Sequence, residues 1–249
     1  MGFQERASVI LAKLTEQNSV SVQELSDMLG VSMVTIRKDL ELLEKQGKLL
    51  RTFGGAVPAI QSTGSARRMQ AAQAIADRVV QEISEGDSII INAGNTTLLT
   101  ARNLLKFKRL KVLTNSISIA KELSRHEEFQ LILLGGEMNS DAIFTHGKEA
   151  IRQLEQYKAK KLILSVSGIS CKRGLTTVHM EAADLMEKMI ERAKEVIVVA
   201  DDSKIGFESF YHVSDAKAVT KLFTNATDDS GKNAVLGELE RMGIQVERC

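Results

Sequence analysis

Apolar residues recur at helical spacing from Ala7 to Leu43, then give way after residue 69 to short, continuous apolar runs. Ala7, Ile10, Leu11 and Leu14 share one face of a helix predicted over 4–16. Ser21-Val22-Gln23-Glu24 reads as a capping box, in which the Ser21 hydroxyl satisfies the Glu24 N–H and Glu24 reaches back. Val22, Leu25 and Leu29 continue as an apolar stripe, and Gly30 supplies the left-handed residue that ends the helix. Ser32 caps a second helix whose buried face is Ile36, Leu40 and Leu43 and which ends near Gly47. Residues 48–52 and 56–57 then pair as strands around Gly54-Gly55. This is the pattern of a winged helix-turn-helix, which holds one helix in a DNA major groove. The candidate DNA contacts are the solvent-facing start of that helix (Met33, Val34, Thr35, Arg37 and Lys38), the Ser32 cap and Arg51 of the wing. Asp39 would repel phosphates and is read as orienting Arg37.

Pro58, the only proline, opens a polar stretch over 58–68 that reads as a linker between a domain over 1–57 and a larger one over 69–249. Strands are predicted over 88–92, 111–114, 130–134, 162–166, 195–200, 219–224 and 244–247. Helices near 69–84, 96–106, 116–126, 148–157, 180–194 and 231–242 separate them. Most of these strands are β-branched and apolar on both faces, as central strands covered by helices on each side are. The expected fold class is α/β, a mostly parallel, Rossmann-like open sheet preceded by the small winged helix-turn-helix domain. A chain of 249 residues accommodates both.

Open α/β sheets bind ligands beyond the carboxyl ends of their strands. Asn92-Ala93-Gly94-Asn95-Thr96-Thr97 follows the first strand, Thr114-Asn115-Ser116 closes the second, and Gly135-Gly136 follows the third. Ser167-Gly168 follows the fourth and Asp201-Asp202-Ser203-Lys204 the fifth. Small and hydroxylated residues at helix N-termini expose backbone N–H groups and the positive end of the helix dipole, which suits a phosphate or another anion. Lys204 adds a point charge. Each loop alone reads equally as a plain N-cap or turn; five at one sheet edge point to a small anionic ligand. Apart from Ala93, Asp202 and Ser203, these residues are the candidate contacts.

Charge changes this picture little. The chain has 33 Lys and Arg against 32 Asp and Glu, and residues 1–57 hold seven of each sign. Phosphate contacts need only local positive charge, because screening limits their range to roughly 10 Å. Arg37, Lys38, Lys45, Lys48 and Arg51 supply it across the second helix and wing, although on charge alone a solvated face fits as well. No stretch approaches the length of a membrane span and no signal peptide is evident, so a cytoplasmic location is expected. Cys171 and Cys249 are too few for a disulfide framework or a cysteine zinc site, and His126, His146, His179 and His212 fall at no metal-ligand spacing. Ser167 lacks the context of a nucleophile elbow. Asp201 and Asp202 can act as bases, but acids at strand ends also cap turns. Neither catalytic residues nor a cofactor or metal site is predicted.

At the level of whole motifs the chain resembles the DeoR-type bacterial transcriptional regulators. The amino-terminal match comprises Arg6, Ile10 and Leu14, then Val31-Ser32-x-x-Thr35-Ile36-Arg37-Lys38-Asp39-Leu40, Gly47, Arg51 and Gly54-Gly55-Ala56. The larger domain is similar to the family's sensor through Gly86-Asp87, Ala93-Gly94, Thr96-Thr97, Thr114-Asn115-Ser116, Gly135-Gly136, Gly168, Gly174-Leu175 and Asp201-x-Ser203-Lys204. The resemblance implies a repressor of a carbohydrate-metabolism operon, with operator DNA and a phosphorylated sugar or polyol as partners. It implies a dimer or tetramer presenting two recognition helices, and a sensor fold similar to ribose-phosphate isomerases. An isomerase- or deaminase-like enzyme with an appended DNA-binding domain is the alternative. The fourth strand, Leu162 to Val166, supplies no carboxylate for such chemistry, so a non-enzyme is expected. Where the family commonly has Asp-Ala-Gly-Thr-Thr, this chain has Asn92-Ala93-Gly94-Asn95-Thr96, which replaces an acceptor by a group that both donates and accepts. Lys160-Lys161 stands where an acidic residue is usual, and Ala71-Ala72 replaces a frequent Glu-Lys pair.

Overall fold

The computed structural model describes residues 2–17, 20–46, 48–52, 55–58, 62–140 and 142–249. They divide into two units, Met1–Met69 and Gln70–Cys249. The first begins with α1 (Phe3–Gln17), β1 (Val20–Ser21), α2 (Val22–Leu29) and α3 (Met33–Lys45), followed by the wing strands β2 (Leu49–Thr52) and β3 (Gly55–Pro58). Ile10, Leu14, Leu25, Ile36, Leu40 and Leu43 are buried together, and Leu29, at the end of its helix, packs against them only partly. The two-residue β1 is too short to read from a pattern. It pairs Val20 with Ala56 and Ser21 with Gly55, completing an antiparallel sheet of order β1-β3-β2. That approach explains Gly55: a Cβ there would sit 1.8 Å from the Val20 carbonyl oxygen. The expected helix end at Gly47 and the Gly54 of the wing turn lie outside the described residues.

Residues 62–68, read above as linker, are instead the first turns of α4 (Ser62–Val79). Polar composition suggested a linker, but beyond Gly64 this stretch contains no breaker, and Ala66, Arg67 and Arg68 are good helix formers. A short 3₁₀ turn over Val80–Glu82 leads to β4 (Ser88–Ile91). Then come α5 (Asn95–Leu104), β5 (Lys111–Thr114), α6 (Ile117–Leu123), β6 (Gln130–Leu133), β7 (Glu137–Asn139), β8 (Phe144–His146) and α7 (Lys148–Leu154). The remainder is β9 (Ala159–Ser165), β10 (Gly168–Ser170), β11 (Gly174–Thr177), α8 (Met180–Glu191), β12 (Ala193–Val199), β13 (Tyr211–Ser214), β14 (Lys221–Thr224), α9 (Ser230–Arg241) and β15 (Gln245–Arg248).

Seven of these strands form one sheet of order β15-β14-β12-β9-β4-β5-β6, with every pair parallel. Alternate residues enter opposite cores: Ile90, Leu162, Leu164 and Val198 pack on one side, and Ile89, Ile91, Ile163, Ile197 and Phe223 on the other. The chain runs outward from β4 to β6, returns, and runs outward again from β9 to β15. The direction therefore switches between β4 and β9, the place where such sheets open a ligand crevice.

Two features depart from the sequence reading. β9 starts at Ala159 rather than 162, because its two lysines are paired: Lys160 Nζ and Lys161 Nζ lie 2.7 and 2.6 Å from the Asp87 carboxylate. The hairpin β7–β8 and the small antiparallel sheet β10-β11-β13 are additional, built from strands of three or four residues that show no readable period.

Candidate functional site

In the first unit, capping fixes where α3 begins and which face it shows. The Ser21 hydroxyl accepts from the Glu24 N–H at 3.0 Å, and Gly30 adopts φ 62° to close α2. The Ser32 hydroxyl then accepts from the Thr35 N–H at 3.2 Å and bonds the Thr35 hydroxyl at 2.9 Å. With Ile36, Leu40 and Leu43 buried beneath, Met33, Val34, Arg37 and Lys38 are left exposed. Ser32 and Thr35 are thus occupied with each other and serve mainly as the cap. Arg51 lies in β2, paired with Ala56.

Asp39 corrects the expectation that it orients Arg37. Its side chain is 3% exposed and meets α1, where Arg6 grips it with two prongs: Nε to Oδ2 at 2.6 Å and Nη2 to Oδ1 at 3.0 Å. The hydrogen bond raises the Arg6 pKa above its ordinary value against the opposing effect of burial. Position 39 falls beside the buried stripe of Ile36, Leu40 and Leu43, so the carboxylate ties α3 to α1. Arg37 and Lys38 have no ion-pair partner among the described residues, which leaves both charges available to a phosphate or a base edge.

In the second unit the parallel sheet brings all five predicted loops to its carboxyl edge. Most of their polar side chains are already used. Asn92 spans the switch point: its Nδ2 donates to the Ser165 carbonyl at 2.9 Å and its Oδ1 accepts from the Ser165 N–H at 2.7 Å. Asn115 accepts from the Ala93 N–H at 3.2 Å and donates to the Thr145 carbonyl at 3.0 Å. Thr114 Oγ1 accepts from the Ser116 N–H, the Ser116 hydroxyl caps α6 at Ile119, and the Thr97 hydroxyl donates to the Gly94 carbonyl. Asn92, Thr96, Thr97, Thr114, Asn115 and Ser116 are all buried. These residues hold the loops of the sheet edge together. Asn95, in contrast, is exposed.

Gly94 has extended φ and is set by space: a Cβ would stand 2.6 Å from Ser165 Cβ. It offers no side chain to cap α5, so the first N–H groups of that helix have no side-chain cap. Gly135 donates its N–H to Gln153 Oε1 at 2.9 Å, and a Cβ on Gly136 would meet the His146 carbonyl oxygen at 2.3 Å. Ser167 accepts from the Val178 N–H at 3.2 Å, and Gly168 lies against the Phe207 carbonyl. Asp201 accepts from both the N–H and the hydroxyl of Ser203, while Asp202 is held by Asn225 and by Lys232 at 3.0 Å. Lys204 differs: it is half-buried, and its ammonium makes no hydrogen bond or ion pair among the described residues. Burial lowers its pKa, and the nearby Asp201 charge partly restores it.

Among the described residues the donors left without a partner at this edge include backbone N–H groups at the start of α5, the exposed Asn95 amide and one ammonium, a set suited to an anion. Among the described residues no group of three or more His, Cys, Asp or Glu is placed to hold a metal ion, and no helix is long and apolar enough to cross a membrane. Ser165, Gln153 and Asn225 also build the edge. Asn225, directly after β14, was reachable by the same strand-end rule; Ser165 and Gln153 carried no local signal.

A model of the DeoR-like helix-turn-helix domain matches residues 6–62, and one of the DeoR C terminal sensor domain matches residues 67–226. The chain is 32% identical over 254 residues to the putative aga operon transcriptional repressor of Escherichia coli O157:H7, covering 98% of this chain and 93% of that protein. It is 33% identical over 250 residues to the HTH-type transcriptional repressor GlcR of Bacillus subtilis (strain 168), covering 98% and 95%. To the glycerol-3-phosphate regulon repressor of Escherichia coli (strain K12) it is 29% identical over 251 residues, covering 98% of each. Among solved structures it is similar to ribose 5-phosphate isomerase A of Methanocaldococcus jannaschii, at 14% identity and a TM-score of 0.40 over 55% of this chain and 54% of that one. Matched in both units and along nearly its whole length, the chain belongs to the DeoR family of transcriptional regulators.

Proposed function

We propose that the chain is a sequence-specific repressor of a carbohydrate-metabolism operon, acting in the cytoplasm as a homo-oligomer and released by a phosphorylated sugar or polyol. The observation that carries this reading is the state of α3: capped at Ser32, pinned at Asp39 to Arg6, and presenting Arg37 and Lys38 unpaired. Arg37 is assigned to a guanine edge or a phosphate, Lys38 to a phosphate, and Met33 and Val34 to apolar contacts such as a thymine methyl. One such helix on a charge-neutral unit is a weak binder, and two copies present the pair of helices that a palindromic operator needs.

The effector is assigned to the crevice between β4 and β9, its phosphate on the first turn of α5 and Lys204. Ligand there favours an arrangement that misplaces the two recognition helices, binding about 1–3 kcal/mol less tightly in the DNA complex. We do not read the site as catalytic, because Asp201 and Asp202 are engaged with Ser203, Asn225 and Lys232 rather than free to move protons. The test is a gel shift with the chain's own promoter DNA, run against sugar and polyol phosphates first screened by thermal shift. Saturation at a hundred times the dissociation constant stabilises the protein by about 2.7 kcal/mol. Compounds that do so are expected to release the DNA; stabilisation without release by any of them defeats the proposal.

A further inference from the structure

The small sheet β10-β11-β13 carries apolar side chains at one end that nothing else among the described residues covers. Phe210 is 80% exposed, Met180 63%, Val178 56% and Phe207 51%. The ladder pairs Thr177 with Tyr211, which sets Val178 and Phe210 at the same end, and Met180 opens α8 two residues further on. This exposure is built in. The Gly206 N–H donates to the Ile169 carbonyl at 2.8 Å, and the Ser209 N–H to Thr176 Oγ1 at 2.9 Å. Arg173 Nη2 donates to the Phe210 carbonyl at 3.3 Å, and Ser170 bonds Glu208. These bonds hold the backbone of residues 206–210 against the small sheet.

A phosphorylated sugar, polar over most of its surface, does not match four such side chains. The geometry points to a second copy of this chain docking here, across a two-fold axis, an inference that rests on the oligomeric reading above. Three observations favour that occupant. First, β13 pairs with β11 alone, so its outer backbone edge has no ladder partner among the described residues, and identical edges pair with one another about a two-fold axis. Second, the small sheet carries exposed charges of both signs, Lys172 and Asp215 at the far end of its ladder and Glu208 between the two phenylalanines, which a two-fold axis can set against opposite signs on the other copy. Third, the area fits. Fully exposed phenylalanines present about 150–250 Å² each, so these two with Val178 and Met180 make a patch of roughly 300–500 Å², in the range of functional patches. That is about half of the roughly 800 Å² per partner in a stable interface, and about half is also the apolar share of such interfaces. The patch begins three residues beyond Lys204, so an effector at the sheet edge acts directly beside the interface.

The test is sedimentation velocity on the full chain, with a Phe207→Asp/Phe210→Asp double variant and with Leu133→Asp, an exposed position on the edge strand β6, as control. The wild type is expected to sediment as an assembly. The double variant is expected to fall to a smaller species, with self-association weakened at least tenfold, and the control to match the wild type. Should the double variant melt early by circular dichroism, Phe210→Ser alone is read instead. A monomeric wild type, or a double variant of wild-type mass, overturns the interface. A variant of wild-type mass that loses its thermal response to glycerol 3-phosphate makes the face a cover for the effector edge, and also overturns it. Operator binding by the wild type is scored separately: its failure defeats the proposed function whatever the masses, and its success leaves that function standing if the interface is lost.

Discussion

The two units solve opposite problems with the same polar chemistry. On α3, the residues assigned to the partner are exposed and unpaired, and the buried charge beside them, Asp39, is spent on holding the helix in place. At the sheet's carboxyl edge the proportion is reversed: Asn92, Thr97, Thr114, Asn115 and Ser116 are buried and satisfied within the chain. A groove reader offers its side chains to DNA, whereas a small-ligand crevice must first hold its own loops still. Polarity at a strand end therefore marks a side chain that holds a loop as readily as one that touches a ligand.

The largest test of this comparison concerns two buried carboxylates that hold their units together, Asp39 in the first and Asp87 in the second. Asp87 is 4% exposed and serves Lys160, Lys161 and the Ser84 N–H. Asp87→Ala strands the buried Lys161 charge and is expected to cost about 3–5 kcal/mol of sensor stability, measured by urea denaturation. Burial pushes the Asp87 pKa up, but the hydrogen bonds from the two lysines and Ser84 outweigh it, leaving the folded value below the ordinary 3.8. The stabilisation is then complete above pH 3.8 and lost as pH falls through the lower folded value. In the variant, that acid limb of the stability curve should flatten.

Asn92→Ala and Lys204→Met separate residues that build the crevice from residues that meet the ligand. Removing Asn92 leaves the Ser165 N–H and carbonyl unpaired, at an expected cost of about 1–3 kcal/mol in stability. Lys204→Met removes a half-buried charge that has no ion pair, so the melting temperature should hold or rise, while sugar-phosphate affinity falls roughly ten- to a hundredfold. A Lys204→Met chain that still released operator at wild-type effector concentrations would remove Lys204 from the site.

The contrast also sets what was legible in the sequence. Caps and stripes are local, so Ser21, Gly30, Ser32 and the Ile36-Leu40-Leu43 face read correctly, as did the seven strands of the main sheet. The ion pair of Arg6 with Asp39 spans 33 positions, and Asn92 meets Ser165 across 73. Neither leaves a periodic trace, so Asp39 was misassigned to Arg37, and the clasp of Asn92 on Ser165 was not foreseen. Its departure from the family's usual Asp has a structural account here: an amide donates to the Ser165 carbonyl while accepting from its N–H, and a carboxylate only accepts.

On the DNA side, Arg37→Ala should cost about 1–3 kcal/mol of operator affinity if Arg37 reads a base, without changing the melting of either unit. Equal affinity for operator and variant operators in this mutant would identify the base pair it reads.

The smallest effect is the most discriminating. Lys38 is exposed, as Arg37 is, and likewise has no ion pair among the described residues, but as a point charge it lacks the fork that specifies a base. Lys38→Ala should weaken all sequences alike and lower the slope of log affinity against log salt by about one, whereas Arg37→Ala should change the ranking of sequences. If Lys38→Ala instead altered the ranking at constant slope, the base-reading face of α3 would be rotated by one residue from the face assigned here. The buried Asp39, and not the Ile36-Leu40-Leu43 stripe alone, would then have to be what sets that rotation.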